Sequence, residues 1–299
     1  MWLFLFFCTI VWLYVKALLH WYSLYLMILG SLVYVLYWID GAWLSGTRAW
    51  EQLRTLKLWR KMAFTNYYFP SSADNSVFGS ESPTYKKYIF VVMPNSTNYP
   101  LFWGFGMHGG RFAPQIRLRY LLPAILFYVP LLRDLLMWSG AVAHNANGSG
   151  DEGLWSTIND LLNRGYSVAY SANGMLDAFS ATSSEREHRV VQTPSDALFT
   201  YSKQEEVALV PVLVSGETER YVFAPQPSFM VRLQEFCYRN WGYPFPVIFM
   251  PTRQSRMHLQ FCSVLQPHLY EKPQDMKQAF VRAILSANNT GADRKIQFL

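Results

Sequence analysis

The chain has 299 residues, enough for one large domain or two small ones and for a sizeable core. It is 51% hydrophobic and 17% aromatic but only 15% charged, against about 25% charged in ordinary soluble domains, a balance that points to a membrane. The net charge of +6 suits anionic headgroups or phosphate-bearing substrates. Nucleic acid is not an expected partner, because no Lys/Arg stripe interleaved with aromatics is present.

In chain order, residues 1–38 are almost wholly apolar, with Lys16 the only formal charge before Asp40. A single helix of that length would reach about 57 Å, well beyond a hydrocarbon core of about 30 Å. Two short helices, roughly 1–18 and 21–38, fit better. They are expected to form a transmembrane hairpin broken at Lys16–His20. A cleaved signal peptide is the competing reading. It is disfavoured because the run is too long, no basic segment precedes it and no small-residue cleavage site follows. Residues 41–63 mix Trp43, Trp50 and Trp59 with Arg48, Arg54, Lys57 and Arg60, as suits a helix lying at headgroup level. Residues 70–84 are a polar loop, so 41–85 is taken as an interfacial helix and loop and 86–299 as the main domain.

From residue 86 strand-like and helix-like segments alternate. Strands are expected at 87–93, 166–171, 207–214, 219–224, 246–250 and 258–264. Helices are expected at 117–138, 153–164, 196–206, 228–239 and 273–286. The alternation predicts an α/β domain with a mixed, partly parallel sheet flanked by helices. Within 117–138, the apolar run 120–132 is too short to span a bilayer. It is expected either to be buried or to lie half-sunk in the membrane surface.

Chemistry-bearing motifs are sparse. Cys8, Cys237 and Cys262 are far apart and lack metal-ligand spacing, and the six histidines form no HExxH-like pair. No metal or cofactor is expected. The segment 147–153 (NGSGDEG) is neither a nucleophile elbow nor a phosphate loop. Asn95, Asn147 and Asn288 begin short glycosylation-like matches, which matter only on a lumenal face. The most suggestive feature is an apolar run, Ile89–Met93, that stops at the polar turn Pro94-Asn95-Ser96. Strands that deliver short polar turns often carry reactive groups.

Several stretches in order resemble the type-2 diacylglycerol acyltransferases and their monoacylglycerol and wax-ester relatives. "YWIDGAW…RAWEQLRTLKLWRKMAFTNYYFP" is similar to the family's segment after its hairpin, and Tyr88-Ile89-Phe90 to the strand before its active-site motif. Val129-Pro130-Leu131-Leu132-Arg133-Asp134 and Met137-Trp138-Ser139-Gly140 resemble its Pro-Leu-Leu-Arg-Glu and Met-Ser-Gly-Gly elements, and "LVPVLVSGETERY" at 209–221 its Leu-Val-Pro strand. The resemblance implies a glycerolipid acyltransferase-like fold with an N-terminal membrane hairpin. It also implies acyl transfer from acyl-CoA to a lipid hydroxyl, and an endoplasmic reticulum location.

The resemblance further implies a His-Pro-His-Gly motif at the end of the Tyr88-Ile89-Phe90 strand, where a histidine would act as general base. Those four places are Met93, Pro94, Asn95 and Ser96 here. A thioether, a carboxamide and an unactivated hydroxyl cannot take a proton near pH 7 as imidazole does. Loss of a general base typically costs about 10²–10⁴ in rate. The family's Arg-Lys-Gly-Phe falls on Ser195-Asp196-Ala197-Leu198, and its Gly-Gly-Ala-Ala-Glu on Asn173-Gly174-Met175-Leu176-Asp177. No catalytic residue is therefore expected. The expected role is a structural or lipid-binding subunit of a membrane complex, in an organelle inner membrane such as the mitochondrial one if so assembled. The expected partners are membrane lipids and other membrane protein subunits.

The alternative is an active acyltransferase that uses His108 of "GFGMHGG". Against it, His108 is 25 residues from Arg133 whereas Asn95 is 38, nearer the family's separation. A hydrophobic cavity beneath 93–110, lined by Phe102, Trp103 and Phe105, would take a phospholipid, the one small molecule expected, with Arg111, Arg117 and Arg119 near its headgroup. Otherwise these segments fill the core or dock on a partner subunit.

Overall fold

The computed structural model describes residues 9–11, 16, 27–35, 49, 65–68, 87–93, 100–106, 116–129, 131–144, 152–172, 188–191, 193–215, 221–223, 232–233, 236, 249–251, 257–291 and 295–298. The chain divides into two compact units, Met1–Ala42 and Trp43–Leu299. In the first, 9–11 and 27–35 are helical. Among the described residues, no helix is long and apolar enough to cross a membrane. Most of the expected hairpin and all but one residue of the 41–63 segment lie outside the described residues.

The second unit is built on a seven-stranded mixed sheet. Its strands are β1 (Thr65–Tyr68), β2 (Tyr88–Met93), β3 (Leu118–Pro123), β4 (Ala141–His144), β5 (Ser167–Ser171), β7 (Ala208–Ser215) and β10 (Met257–Phe261), in the order β1-β10-β7-β2-β5-β3-β4. Two small pairs stand apart: β6 (His188–Val191) with β11 (Lys295–Phe298), and β8 (Tyr221–Phe223) with β9 (Phe249–Pro251). Strands β7, β2, β5, β3 and β4 run parallel, β10 is antiparallel to β7, and β1 is parallel to β10. The mixed, partly parallel sheet expected from the alternation is present. β1 lies upstream of residue 86, where the domain was expected to begin, and still joins the sheet edge.

Strand β2 is central because every one of its residues is buried. A parallel strand covered on both faces carries an unbroken apolar run such as YIFVVM. Its odd-numbered residues, Ile89, Val91 and Met93, point into a core shared with α2 (Glu152–Asn163), α3 (Asp196–Gln204) and α4 (Pro273–Gly291). Ile158 and Leu161 of α2, Leu198 and Phe199 of α3, and Met276, Phe280 and Ile284 of α4 fill that layer. In α2 and α4 the spacing of these residues is the i, i+3 or i, i+4 stripe of a helix with one buried side. Phe199 and Phe280 meet edge to face, with ring centroids 5.7 Å apart.

The opposite face is covered differently. The even-numbered Phe90 packs with Phe105 and Phe261, at centroid distances of 5.5 and 6.2 Å. Phe105 belongs to a π-helix, Pro100–Gly106. A side chain at residue 106 would come within 2.8 Å of the Tyr120 hydroxyl and 2.9 Å of its ring, so only glycine lets this turn lie flat on the sheet. The Tyr120 ring cannot yield, because its hydroxyl sits 2.6 Å from Ser139 Oγ. Ser139 gives its own proton to the Leu136 carbonyl at 2.8 Å, so Tyr120 is the donor of that pair. Ser139 of the family-like Met-Ser-Gly-Gly element is thus a packing residue.

The helix expected over 117–138 is not formed. The segment is instead strand β3, a 3₁₀ turn at Ala124–Tyr128, and the short helix α1, Leu132–Trp138. LRYLLP is apolar on both sides, which suits a strand buried on two faces and has no helical stripe. Pro123 then ends the strand.

Candidate functional site at the carboxyl edge of the sheet

In open α/β sheets, ligands bind beyond the carboxyl ends of the parallel strands. The register fixes which residues stand there. Val92 is level with Ser171 and Pro123 with His144. Tyr120 is level with Ala169, which extends the row to Met93, Ala172, Pro123 and His144.

Met93 occupies the first place of the degenerate motif and is 1% exposed. Its thioether lies in the helix-side core, not at the edge. Pro94, Asn95 and Ser96 lie outside the described residues, as do His108 and Arg111 and the side chain of Trp103. Phe102 is half-buried, and Leu101 and Phe105 are fully buried. Of the expected cavity lining, Phe105 is thus buried against the sheet and Phe102 partly so.

Arg117 and Arg119 stand at the other edge. Arg119 is level with Ile89 through Val168, four residues or about 13 Å along the strand from Met93. Both guanidinium groups lie over the Tyr166 ring, at 4.6 and 4.2 Å from its centroid. Arg117 also donates to the Tyr166 hydroxyl at 3.1 Å, and Arg119 to the Leu118 carbonyl at 2.9 Å. The structure thus places both arginines toward the amino edge, where β3 begins, and away from Met93.

The segment Ser195-Asp196-Ala197-Leu198, where the resembling family carries cations, opens α3. Leu198 is buried and Asp196 pairs with Lys277 of α4 at 2.7 Å. It joins two helices of the core layer. The weakened Asn173–Asp177 segment is outside the described residues.

Two features of this edge stand out, of which His144 was not singled out from the sequence and Arg133-Asp134 was noted only as part of the family-like element. His144 ends β4 on the same face as Val142, half-buried. Burial lowers its imidazole to about 4, so it is neutral at pH 7 and only a weak base. The signal was available: a short apolar AVA run that ends in His just before Asn- and Gly-rich sequence. Arg133 and Asp134, in the first turn of α1, are 1% and 5% exposed. Among the described residues, no group of His, Cys, Asp and Glu is arranged to hold a metal ion.

The family model for diacylglycerol acyltransferases (DAGAT) matches residues 14–262. The chain belongs to the diacylglycerol acyltransferase family. A search of curated proteins gives no match. Among solved structures the chain is similar to the 1-acyl-sn-glycerophosphate (LPA) acyltransferase PlsC from Thermotoga maritima, with 12% identity, a TM-score of 0.45, and coverage of 80% of this chain and 78% of that one.

Proposed function

We propose that this family member is an acyltransferase-like membrane protein that does not transfer acyl groups and acts as a structural or lipid-binding subunit of a membrane assembly. One observation carries the reading. Where the resembling enzymes place a histidine at the end of the central strand, this chain buries Met93 in the hydrophobic core. A thioether there stabilises packing and cannot accept the proton of an attacking hydroxyl. The arrangement at Asp196 supports the same reading, since an anion engaged with Lys277 stands where two cations would serve an acyl donor.

His144 favours a second, active reading, because it puts an imidazole at the carboxyl edge. It is three strands from Met93 in the sheet order, about 14 Å at the usual strand spacing. With its pKa lowered to about 4, it is a poor general base. The deciding experiment is an acyl-transfer assay with labelled acyl-CoA and diacylglycerol, monoacylglycerol or a fatty alcohol. No turnover above background is expected. Turnover abolished by His144→Ala or His108→Ala would install the active reading and name its base.

A further inference from the structure

We propose that Ser215, His258 and Asn66, which three neighbouring strands bring side by side at the carboxyl edge of the sheet, form a hydrolytic site for a carboxylic ester or thioester. The proposal goes beyond the reading above, which concerns acyl transfer to a lipid alcohol at the end of β2. Here the acceptor is water, and the residues belong to β7, β10 and β1.

The reversal of strand direction makes the juxtaposition. Strand β10 runs against β7, and β1 runs with β10. The first residues of β10 and β1 therefore stand where β7 ends. His258 is level with Ser215 of β7 on one side and with Asn66 of β1 on the other. Met93 is level with Leu213, so this row lies two residues, about 7 Å, beyond Met93 along the strands. Successive residues of a strand alternate between faces, and directly opposite residues on neighbouring strands share one. Met93 and Leu213 belong to the helix-side core, which places the row Ser215, His258 and Asn66 on that face. The other residues of β10 agree. Phe261 packs on Phe90 and Phe105, and Leu259 lies against the π-helix at Gly104, both on the opposite face. The helix-side layer is thus apolar up to Met93 and Leu213, and the next row carries a hydroxyl, an imidazole and a carboxamide.

Those three groups in that order are a nucleophile, a base and a group that can orient the base. A serine hydroxyl is a weak nucleophile until a neighbouring base activates it. Directly opposite residues of an antiparallel pair have Cβ atoms about 4.5–5.5 Å apart, a separation that one hydroxyl-to-imidazole hydrogen bond can bridge. His258 is half-buried and two strands from β2, nearer than His144 at three. Ser215 is the last residue of β7 and precedes Gly216, and the exit of a strand is where strand-borne nucleophiles are presented. In the proposed reaction the Ser215 oxygen attacks the carbonyl carbon while His258 takes the hydroxyl proton. The C–O or C–S bond breaks, and His258 gives that proton to the leaving alkoxide or thiolate. Water then attacks the acyl-serine, its proton passes to His258, and the carboxylic acid leaves as the proton returns to Ser215. Asn66 is a positioning residue, on the far side of His258 from Ser215.

The test uses the full chain in detergent. p-Nitrophenyl butyrate supplies an oxygen ester and butyryl-CoA a thioester, with release of nitrophenol or free thiol as the readout. A fluorophosphonate probe is applied in parallel, and the modified peptide is identified by mass spectrometry. Hydrolysis of at least one substrate is expected, and which one is cleaved assigns the ester class. Ser215→Ala should reduce it to background, and His258→Gln should lower it about 10²–10⁴-fold. Asn66→Ala should lower kcat with KM unchanged, and Asn66→Asp, which can also orient an imidazole, should restore it. His268→Gln, exposed in the 3₁₀ turn Pro267–Leu269, should change nothing. The probe should mark Ser215 in the unaltered chain, a readout that depends on no variant folding. Absence of hydrolysis with both substrates, hydrolysis that survives Ser215→Ala, or a probe that marks only other residues would overturn the proposal.

Discussion

The two faces of the sheet differ in how they are covered. On one, three regular helices present apolar stripes to Ile89, Val91 and Met93, and the layer closes. On the other, a π-helix, a 3₁₀ turn and the seven-residue α1 do the work, and large apolar side chains at 128–138 remain outside. Both faces satisfy the strands. Only the first has the form of a finished water-soluble core. The second leaves the large apolar side chains of Tyr128, Val129, Leu131 and Trp138 exposed.

The largest expected effect tests the closed layer. Phe280 is fully buried against Phe199, and Phe280→Ala should cost about 3–5 kcal/mol. Trp138, on the open side, is 42% exposed, and Trp138→Ser should stay within about 0.5 kcal/mol in detergent. Denaturant unfolding of both variants in the same detergent measures the contrast. Equal losses would mean that the two sides are packed alike, and the comparison would fail.

How far the sequence revealed the fold follows the same division. The helices α2, α3 and α4 and the strands β2, β5, β7 and β10 were legible because each has a clear period or an unbroken apolar run bounded by turns. The segment 117–138 was not. Its apolar residues serve a strand, a 3₁₀ turn and a short helix in succession, so no single period runs through it. The π-helix at 100–106 has no simple sequence signal beyond its glycines. Of the candidate site, Met93 at a strand end was legible from the apolar run and the resemblance. That its side chain turns into the core required the register. That Arg117 and Arg119 stand toward the amino edge was not legible, because proximity in sequence to the 93–110 stretch says nothing about which end of a parallel strand a residue occupies.

A middle-sized effect concerns His144, on the edge strand between the two regimes. Its folded pKa of about 4 lies below the ordinary 6.5. The unfolded chain therefore binds the extra proton first, and stability falls as pH drops from about 6.5 toward 4 and does not change above that window. The full linkage would be about 3 kcal/mol. A half-buried ring that keeps some water contact should show less, about 1–2 kcal/mol. Thermal unfolding between pH 7 and pH 4.5 should flatten in His144→Gln relative to the parent. An unchanged slope would show that His144 is not desolvated and would return it to the list of usable bases.

The smallest effect tests whether the Ser195–Leu198 segment is part of the closed layer or a remnant of a site. Asp196 is 66% exposed and meets a Lys277 that is 28% exposed. An ion pair of this kind is worth about 0.2–1 kcal/mol and is screened by salt. Asp196 also lies in the first turn of α3, where a carboxylate adds about 0.3–1 kcal/mol through the helix dipole. Asp196→Asn should remove both, and Lys277→Met only the first. The double variant should then be no worse than Asp196→Asn beyond the loss of lysine packing, and raised salt should shrink every difference. Asp196→Lys, which restores the cation of the resembling family, should destabilise by repulsion from Lys277 and confer no acyl transfer. If it gave measurable acyl transfer instead, the start of α3 would be a disabled donor site and not a helix-to-helix clasp.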